Sequence, residues 1–565
     1  MKGKYIRKPE TPDYAGISYC CILLAAGLIF AFMSFRGYVQ SYYEHFLIIP
    51  CMLFVVIHLG LRGRAVNKKR FILPGAMVAW YLFLQGKRFI ESGVYTNFSL
   101  FLTVYLFAFP LACVMKDGNR KKILKIFVGA YLAAAILLTL FGSLLFLDRL
   151  PGIFAEHVYW EGGRLAIFWH PNITACLLMI GIILCVTFFS QGKRIWIKPL
   201  QILLLIPMLA MLALTSCRTV IILTGGYLGS IFFFMMVRHG KIWFVPGVLA
   251  VLVVTAVFYG GAVRLYQENY NMLLEKYTQQ HSEYTEPVIS AQPTASGGSA
   301  LTLVLLSETK VPGEMPGGAV QSCGSRNVQA SVEVDPVTGE VYLGTGSPQG
   351  SFFEDFGTLN RRTEIWNAAK TAIQENPSIF WWGVHNPGVY VSEYNKFSVP
   401  HMHNAWLQCF MGMGIAGFLM AMLFTIRALW NSLVILLRHH RDVWKRNVAL
   451  LTLCLMAASF VESYLFYTTV SYHLPDFLFF LCTGYLVQWQ EEDNRRMRAW
   501  IRRRIPFVKN NTEYARTVIR RNTVLAYFHF DKMYLAAIFP GGFRRSPSAV
   551  YRGRRYSGGF LWTPV

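Results

Sequence analysis

The sequence predicts an all-α polytopic membrane protein with about twelve transmembrane helices and a large external loop between spans nine and ten. Three observations carry that fold class. Apolar runs near the ~20 residues needed to cross a bilayer follow one another along most of the chain. Lysine and arginine crowd every second connection. A single long polar stretch, Gly260 to His403, interrupts the pattern late. The 565 residues are 54% hydrophobic with a mean hydropathy of +0.38, although the formal net charge is +24. The basic residues sit in short clusters between apolar runs and in the tail, with no aromatic-interleaved basic face, so a nucleic-acid partner is not expected.

The expected spans are Ala15–Phe35, Phe46–Leu61, Phe71–Leu84, Phe98–Met115, Ile123–Leu147, Pro171–Ser190, Pro199–Leu214, Val220–Val237, Trp243–Tyr259, Asn404–Ile426, Val448–Val461 and Leu474–Trp489. The shorter ones need tilt or help from flanking residues. A cleavable leader is not expected, because the first apolar run is long and no small-residue cleavage site follows it. With the N-terminus inside, the inner connections Arg62–Arg70, Lys116–Lys122, Gln191–Lys198, Arg238–Lys241 and Arg438–Arg446 carry roughly three times the Lys/Arg of the short outer ones. A miscount by one span would invert half the loops and destroy that agreement. The expectation is therefore N-in and C-in.

Four segments follow: a membrane domain 1–259, an external loop 260–403, a second membrane domain 404–489 and a basic cytoplasmic tail 490–565. Within the loop, residues of about 270–350 form a polar insertion rich in Ser, Thr, Gly and Pro. Its Val332-to-Leu343 stretch alternates apolar and polar residues around a turn, which predicts a small hairpin. From about 360 to 376, Ile365, Ala369, Ala372 and Ile373 share one helical face, and Pro377 ends it: an amphipathic helix near the membrane. Trp381 and Trp382 suit the interface. The tail reads as a surface-lying segment attracted to anionic membrane lipids.

Most of the eleven cysteines lie in or beside apolar runs and read as small hydrophobes. No disulfide framework or metal-ligand spacing appears, so neither a metal nor another cofactor is expected. Polar chemistry collects instead at the outer ends of the spans. Gly163-Arg164 precedes His170-Pro171-Asn172; Ser216-Cys217-Arg218 forms an outer turn; Arg361 and Arg362 open the amphipathic helix; His401-Met402-His403-Asn404 precedes the tenth span. Arginine at a membrane boundary is costly unless it snorkels, is paired or holds an anion. Guanidinium forks bind phosphate oxygens bidentately, and imidazole is the usual base near neutral pH. Each cluster alone has a plainer reading: a snorkelling Arg218, headgroup anchoring by Arg361 and Arg362, a helix-start His170, an idle His401, and a Glu462 that satisfies a neighbouring span. Together they describe an external site for an anionic ligand.

The run Arg362-Thr-Glu-Ile-Trp366, Glu375-Asn-Pro377, Trp382-Gly383 and then His403-Asn404 with Leu407 and Gly414 resembles the O-antigen ligase/O-antigen polymerase superfamily. Gly163-Arg164 with His170-Pro171-Asn172 is similar to its upstream signature, and Ser216-Cys217-Arg218 to its arginine turn. Cys217 stands where the family carries a second serine, and Gly383-Val384-His385 lacks the second glycine of its element. The resemblance runs from about Gly163 to Gly417. It implies a GT-C-like glycosyltransferase in the bacterial cytoplasmic membrane that polymerises or ligates a polyprenyl-diphosphate-linked oligosaccharide outside the cytoplasm, without a metal. Arg218 and Arg362 would hold the diphosphate, and His403 would be the base for an acceptor hydroxyl that attacks with inversion. Arg361, Arg164, His170, Asn172, His401 and Asn404 would bind substrate. The implied partners are that lipid-linked donor, a glycan or lipid-glycan acceptor and other polysaccharide-assembly proteins. The alternatives are a transporter or lipid-glycan flippase, or a structural scaffold. Span centres almost free of charge argue against transport, because transporters place polar groups at the midplane.

Overall fold

A computed structural model of the protein describes residues 70–92, 109, 112–113, 117–151, 154, 158–161, 164–167, 170–190, 197–237, 239, 241–282, 332–334, 341–343, 362–394, 402–463, 465–466 and 473–504. Helices dominate them: α1 (Ile72–Ser92), α2 (Asp117–Phe146), α3 (Pro171–Phe189), α4 (Ile197–Leu214), α5 (Arg218–Val237), α6 (Phe244–Ser282), α7 (Arg362–Glu375), α8 (Ser378–Trp382), α9 (Pro387–Ser392), α10 (Ala405–His439), α11 (Val443–Ala458) and α12 (His473–Arg504). Five are long and apolar enough to cross a membrane by length and composition: Leu124–Phe146 of α2, then α3, α5, Phe244–Leu273 of α6, and α10. The chain is thus a polytopic helical membrane protein. The expected spans Ala15–Phe35 and Phe46–Leu61, and most of Phe98–Met115, lie outside the described residues.

Helix α3 is apolar around its whole circumference, and 83% of its span is buried. A helix without a polar face must be enclosed, and α2, α4, α5 and α11 surround it. Its Thr187 accepts a 2.9 Å hydrogen bond from Asn447 of α11. Helix α6 is the opposite case, with Val245, Leu249, Val253 and Val257 all exposed along one face. In a membrane protein such a face meets lipid tails.

Two features differ from the sequence expectation. Helix α6 runs on from Tyr259 to Ser282, so the first part of the segment expected as external loop is a helical continuation. Arg264 pairs with Glu268 one turn on, and Tyr266 stacks edge-on with Tyr270 at the same spacing, contacts that support a helix after its apolar run ends. The chain is also not purely helical. Strands β1 (Val158–Glu161) and β2 (Arg164–Ile167) pair antiparallel with Glu161 opposite Arg164. That register leaves Gly162-Gly163 between them, a dipeptide suited to a two-residue hairpin connection. Val158, Trp160, Leu165 and Ile167 are all buried. The hairpin expected within Val332–Leu343 is present as β3 (Val332–Val334) paired with β4 (Val341–Leu343).

Helix α10 breaks at Gly414, whose φ of +65° and ψ of −175° are closed to side-chain-bearing residues. The break frees three carbonyls, and each finds a donor. Met411 O accepts from Val384 N at 2.6 Å. Gly412 O accepts from Arg88 Nη2 at 2.6 Å, and Met413 O from Trp80 Nε1 at 2.9 Å. A Cβ on Gly414 would lie 2.1 Å from the Trp381 carbonyl oxygen. The kink is therefore a joint into which α1 and the α8–α9 connection are locked. Beside it, Ile365, Ala368, Ala369, Ala372, Ile379, Val391, Met402 and Met411 form a separate core that docks α7 to α9 on the start of α10.

Candidate functional site

The starts of α3, α5 and α10 and the ends of α4 and α11 meet at one end of the helix bundle, and the polar side chains there converge on Glu462. This carboxylate follows α11 and is 1% exposed. Its Oε1 accepts from Arg362 Nη2 at 2.6 Å and from Asn172 Nδ2 at 2.6 Å. Its Oε2 lies 3.2 Å from His403 Nδ1. Asn172 passes the network on: its Oδ1 accepts from Arg164 Nη2 at 2.9 Å. Arg164 Nε donates in turn to Thr215 O at 3.0 Å, in the turn before Arg218. Six residues from five stretches of chain form one continuous hydrogen-bonded network.

Local structure explains each position. Arg164 opens β2, and β2 is tied to α3 because Ile167 N donates to Thr174 Oγ1 at 3.0 Å and that hydroxyl donates back to Ile167 O at 3.2 Å. Arg362 and Trp366 are one turn apart on α7 and share a face. Trp366 Nε1 donates to Met402 O at 3.0 Å, so the tryptophan pins α7 to the segment before α10 while the arginine reaches Glu462. Met402 is held from its other side as well, since its N donates to Gln408 Oε1 at 3.0 Å. The next residue, His403, has φ +48°, and Ser216 has φ +50°. Side-chain-bearing residues in that left-handed region are strained by roughly 1–3 kcal/mol and persist where surroundings over-determine them, often at functional sites.

Asn404 and His170 serve the backbone. Asn404 Oδ1 accepts from Trp406 N and Leu407 N at 2.9 and 3.0 Å, and its Nδ2 donates to Phe460 O at 2.9 Å. Ala405 N donates to Ser459 O at 2.9 Å. Asn404 is thus a helix cap that joins the start of α10 to the end of α11. His170 caps α3, its Nδ1 accepting from Asn172 N at 3.2 Å. Burial, reinforced by the Arg164 charge, pushes its pKa down to about 4, so it stays neutral at physiological pH. Arg218 is the first residue of α5 and half-buried. Burial raises the Tyr266 pKa against the nearby charges of Arg164 and Arg218, which lower it. Arg361 and His401 lie outside the described residues.

Sequence reasoning gathered these clusters into one external site but gave Glu462 only the plainer reading of a group that satisfies a neighbouring span. It is the residue that binds the clusters together. A lone carboxylate at the end of an apolar run was the available signal. Burial also raises the Cys217 thiol to about 11, so this cysteine is an inert wall residue. Among the described residues the site carries Arg164, Arg218 and Arg362 around the Glu462 carboxylate, with His170 neutral. That surplus suits a multiply charged anion, and the guanidinium groups could take its oxygens.

Fold and site together define a polytopic helical membrane protein with a cationic, histidine-bearing centre at one end of its bundle. Residues 203–422 match the family model described as O-Antigen ligase. No curated protein and no solved structure is found to match. The matched stretch holds Arg218, Arg362, His403 and Asn404. Arg164, Asn172 and Glu462 lie outside it and reach the same site through folding. The match supports a membrane enzyme of polysaccharide assembly.

Proposed function

We propose that the protein is a membrane glycosyltransferase that transfers an oligosaccharide from a polyprenyl-diphosphate donor to a sugar hydroxyl on the external face of the bacterial cytoplasmic membrane. The observation that carries this reading is the convergence of Arg362, Asn172 and His403 on Glu462, with Arg164 joined through Asn172 and Arg218 in the adjoining turn. Arg218 and Arg362 hold the diphosphate oxygens and stabilise the charge that grows as the bond to the anomeric carbon breaks. At ~4 Å and an effective dielectric of ~20, each such pair is worth about 4 kcal/mol before desolvation. His403 accepts the proton of the acceptor hydroxyl, whose oxygen attacks the anomeric carbon from the face opposite the diphosphate. That geometry inverts the configuration. With guanidinium groups meeting the anion, no step in this scheme calls for a metal ion.

Among the described residues, Arg70, which donates to Gln488 at 2.6 Å, and the basic connection Arg438–Arg446, whose Asp442 caps α11, lie at the end of α10 opposite the site. This arrangement supports an N-in, C-in orientation with the site outside. The test in cells is to replace Arg218, Arg362 and His403 singly and measure the chain length of surface glycan. Loss of long or ligated glycan with accumulation of externally exposed lipid-linked units is expected. Normal glycan from correctly inserted variants at all three positions would refute the assignment, and accumulation on the inner leaflet would point to a flippase.

A further inference from the structure

We propose that Glu462 is the positioning residue for His403, fixing the imidazole in the one tautomer that can act as a base; the inference rests on the transferase reading above. The argument begins with donors and acceptors. A carboxylate paired with a guanidinium accepts hydrogen bonds and donates none. Glu462 Oε1 is bonded to Arg362 and Asn172, both donors, at 2.6 Å each. Its second oxygen, Oε2, faces His403 Nδ1 at 3.2 Å. The proton between them must sit on Nδ1, which leaves the lone pair of the neutral ring on Nε2. The tautomer is set by the hydrogen bond that the other nitrogen makes.

The surrounding structure keeps this contact in place. Met402 is bonded at both its N and its O, His403 itself is in the left-handed region, and Asn404 ties the next turn to Phe460. Glu462 is 1% exposed and cannot swing into solvent. During transfer, the acceptor O–H proton passes to Nε2 and the oxygen forms its bond to the anomeric carbon. The bond between that carbon and the diphosphate oxygen breaks, and its electron pair leaves with the diphosphate. The imidazolium so formed lies against the Glu462 carboxylate, which stabilises it. Because Oε1 also holds Arg362, one buried carboxylate sets the base and an anion-binding arginine in fixed relation. Glu462 lies 59 residues from His403 in sequence and outside the stretch that matches the family.

The test is Glu462→Gln, which keeps the shape. Its amide oxygen can still accept from Arg362 and Asn172, but its NH2 group donates to Nδ1 and drives the proton to Nε2. Nitrogen NMR of the full chain in lipid nanodiscs, with labelled histidine and His403→Gln to assign the resonance, reads the tautomer without any substrate. The wild type is expected to carry the proton on Nδ1 and Glu462→Gln to carry it on Nε2. With a polyprenyl-diphosphate oligosaccharide as donor, Glu462→Gln is expected to lose about 100- to 10,000-fold in kcat while KM for the donor changes less than about threefold. Glu462→Asp, which keeps an acceptor-only partner, is expected to restore part of kcat. A wild-type ring protonated on Nε2, or a Glu462→Gln chain with unaltered tautomer and kcat, would overturn the inference. A chain that shows the Nδ1 proton yet transfers no sugar supports the pairing and instead refutes the transferase reading.

Discussion

Removing both Arg362 and Glu462 is expected to destabilise the helix bundle by less than the sum of removing each alone. Glu462 is 1% exposed and Arg362 17%, so the pair is largely shielded from water. Breaking a buried ion pair by truncating one partner typically costs about 3–5 kcal/mol, because the other charge is left uncompensated. Asn172 and His403 still bond Glu462 when Arg362 is lost, which lowers the expected cost of Arg362→Met to about 2–4 kcal/mol. The double variant Arg362→Met/Glu462→Leu leaves no charge stranded. Its cost should fall short of the summed single costs by about 2 kcal/mol, a coupling in the range found for residues in direct contact. The assay is reversible unfolding in mixed micelles of each single variant, the double variant and the parent. A coupling below about 0.5 kcal/mol would mean that the two groups act independently, and would remove the energetic basis for treating Glu462 as the hub.

Other outcomes follow from the same geometry. Gly414→Ala combines a left-handed φ with a Cβ 2.1 Å from the Trp381 carbonyl oxygen; a loss of at least about 2 kcal/mol in the same unfolding assay is expected, and a neutral effect would show that the kink is not locked. Because burial lowers the His170 pKa to about 4 from 6.5, the unfolded chain binds more protons than the folded one between those values. Stability is then fully present above pH 6.5 and falls toward pH 4, by up to about 3 kcal/mol. His170→Asn, which keeps a cap acceptor but cannot titrate, should flatten that part of the profile; an unchanged profile would contradict the assignment. Addition of EDTA should leave sugar transfer unaltered, and its abolition with rescue by a divalent cation would contradict the metal-free scheme.

Apolar runs and helical periodicity made the helical membrane character of the chain legible in the sequence. Residues from about 360 to 376 read as a helix because Ile365, Ala369, Ala372 and Ile373 share a face at its period, and it forms over Arg362–Glu375 with Ile365, Ala369 and Ala372 buried. The site was legible only in pieces. Asn172 and Glu462 are 290 residues apart, and Arg362 and Glu462 are 100 apart; contacts of that range leave no local pattern. For Asn404 the sequence also offers a cap, as an asparagine before an apolar helix does, and both its oxygen and its nitrogen are used that way. The β1–β2 hairpin was readable from Gly162-Gly163 flanked by alternating apolar residues, but the surrounding apolar spans mask so short a signal. The length of α6 was hidden for another reason: its last turns are polar, and hydropathy locates where a helix leaves the apolar zone, not where it ends.

The most direct test is transfer by the purified full-length chain in liposomes, supplied with a polyprenyl-diphosphate-linked labelled oligosaccharide and a glycan acceptor. The expected result is label joined covalently to the acceptor with release of polyprenyl diphosphate, and loss of both in the Arg362→Gln and His403→Gln chains. Label that crosses the bilayer still attached to its lipid, with no polyprenyl diphosphate released, would contradict the account.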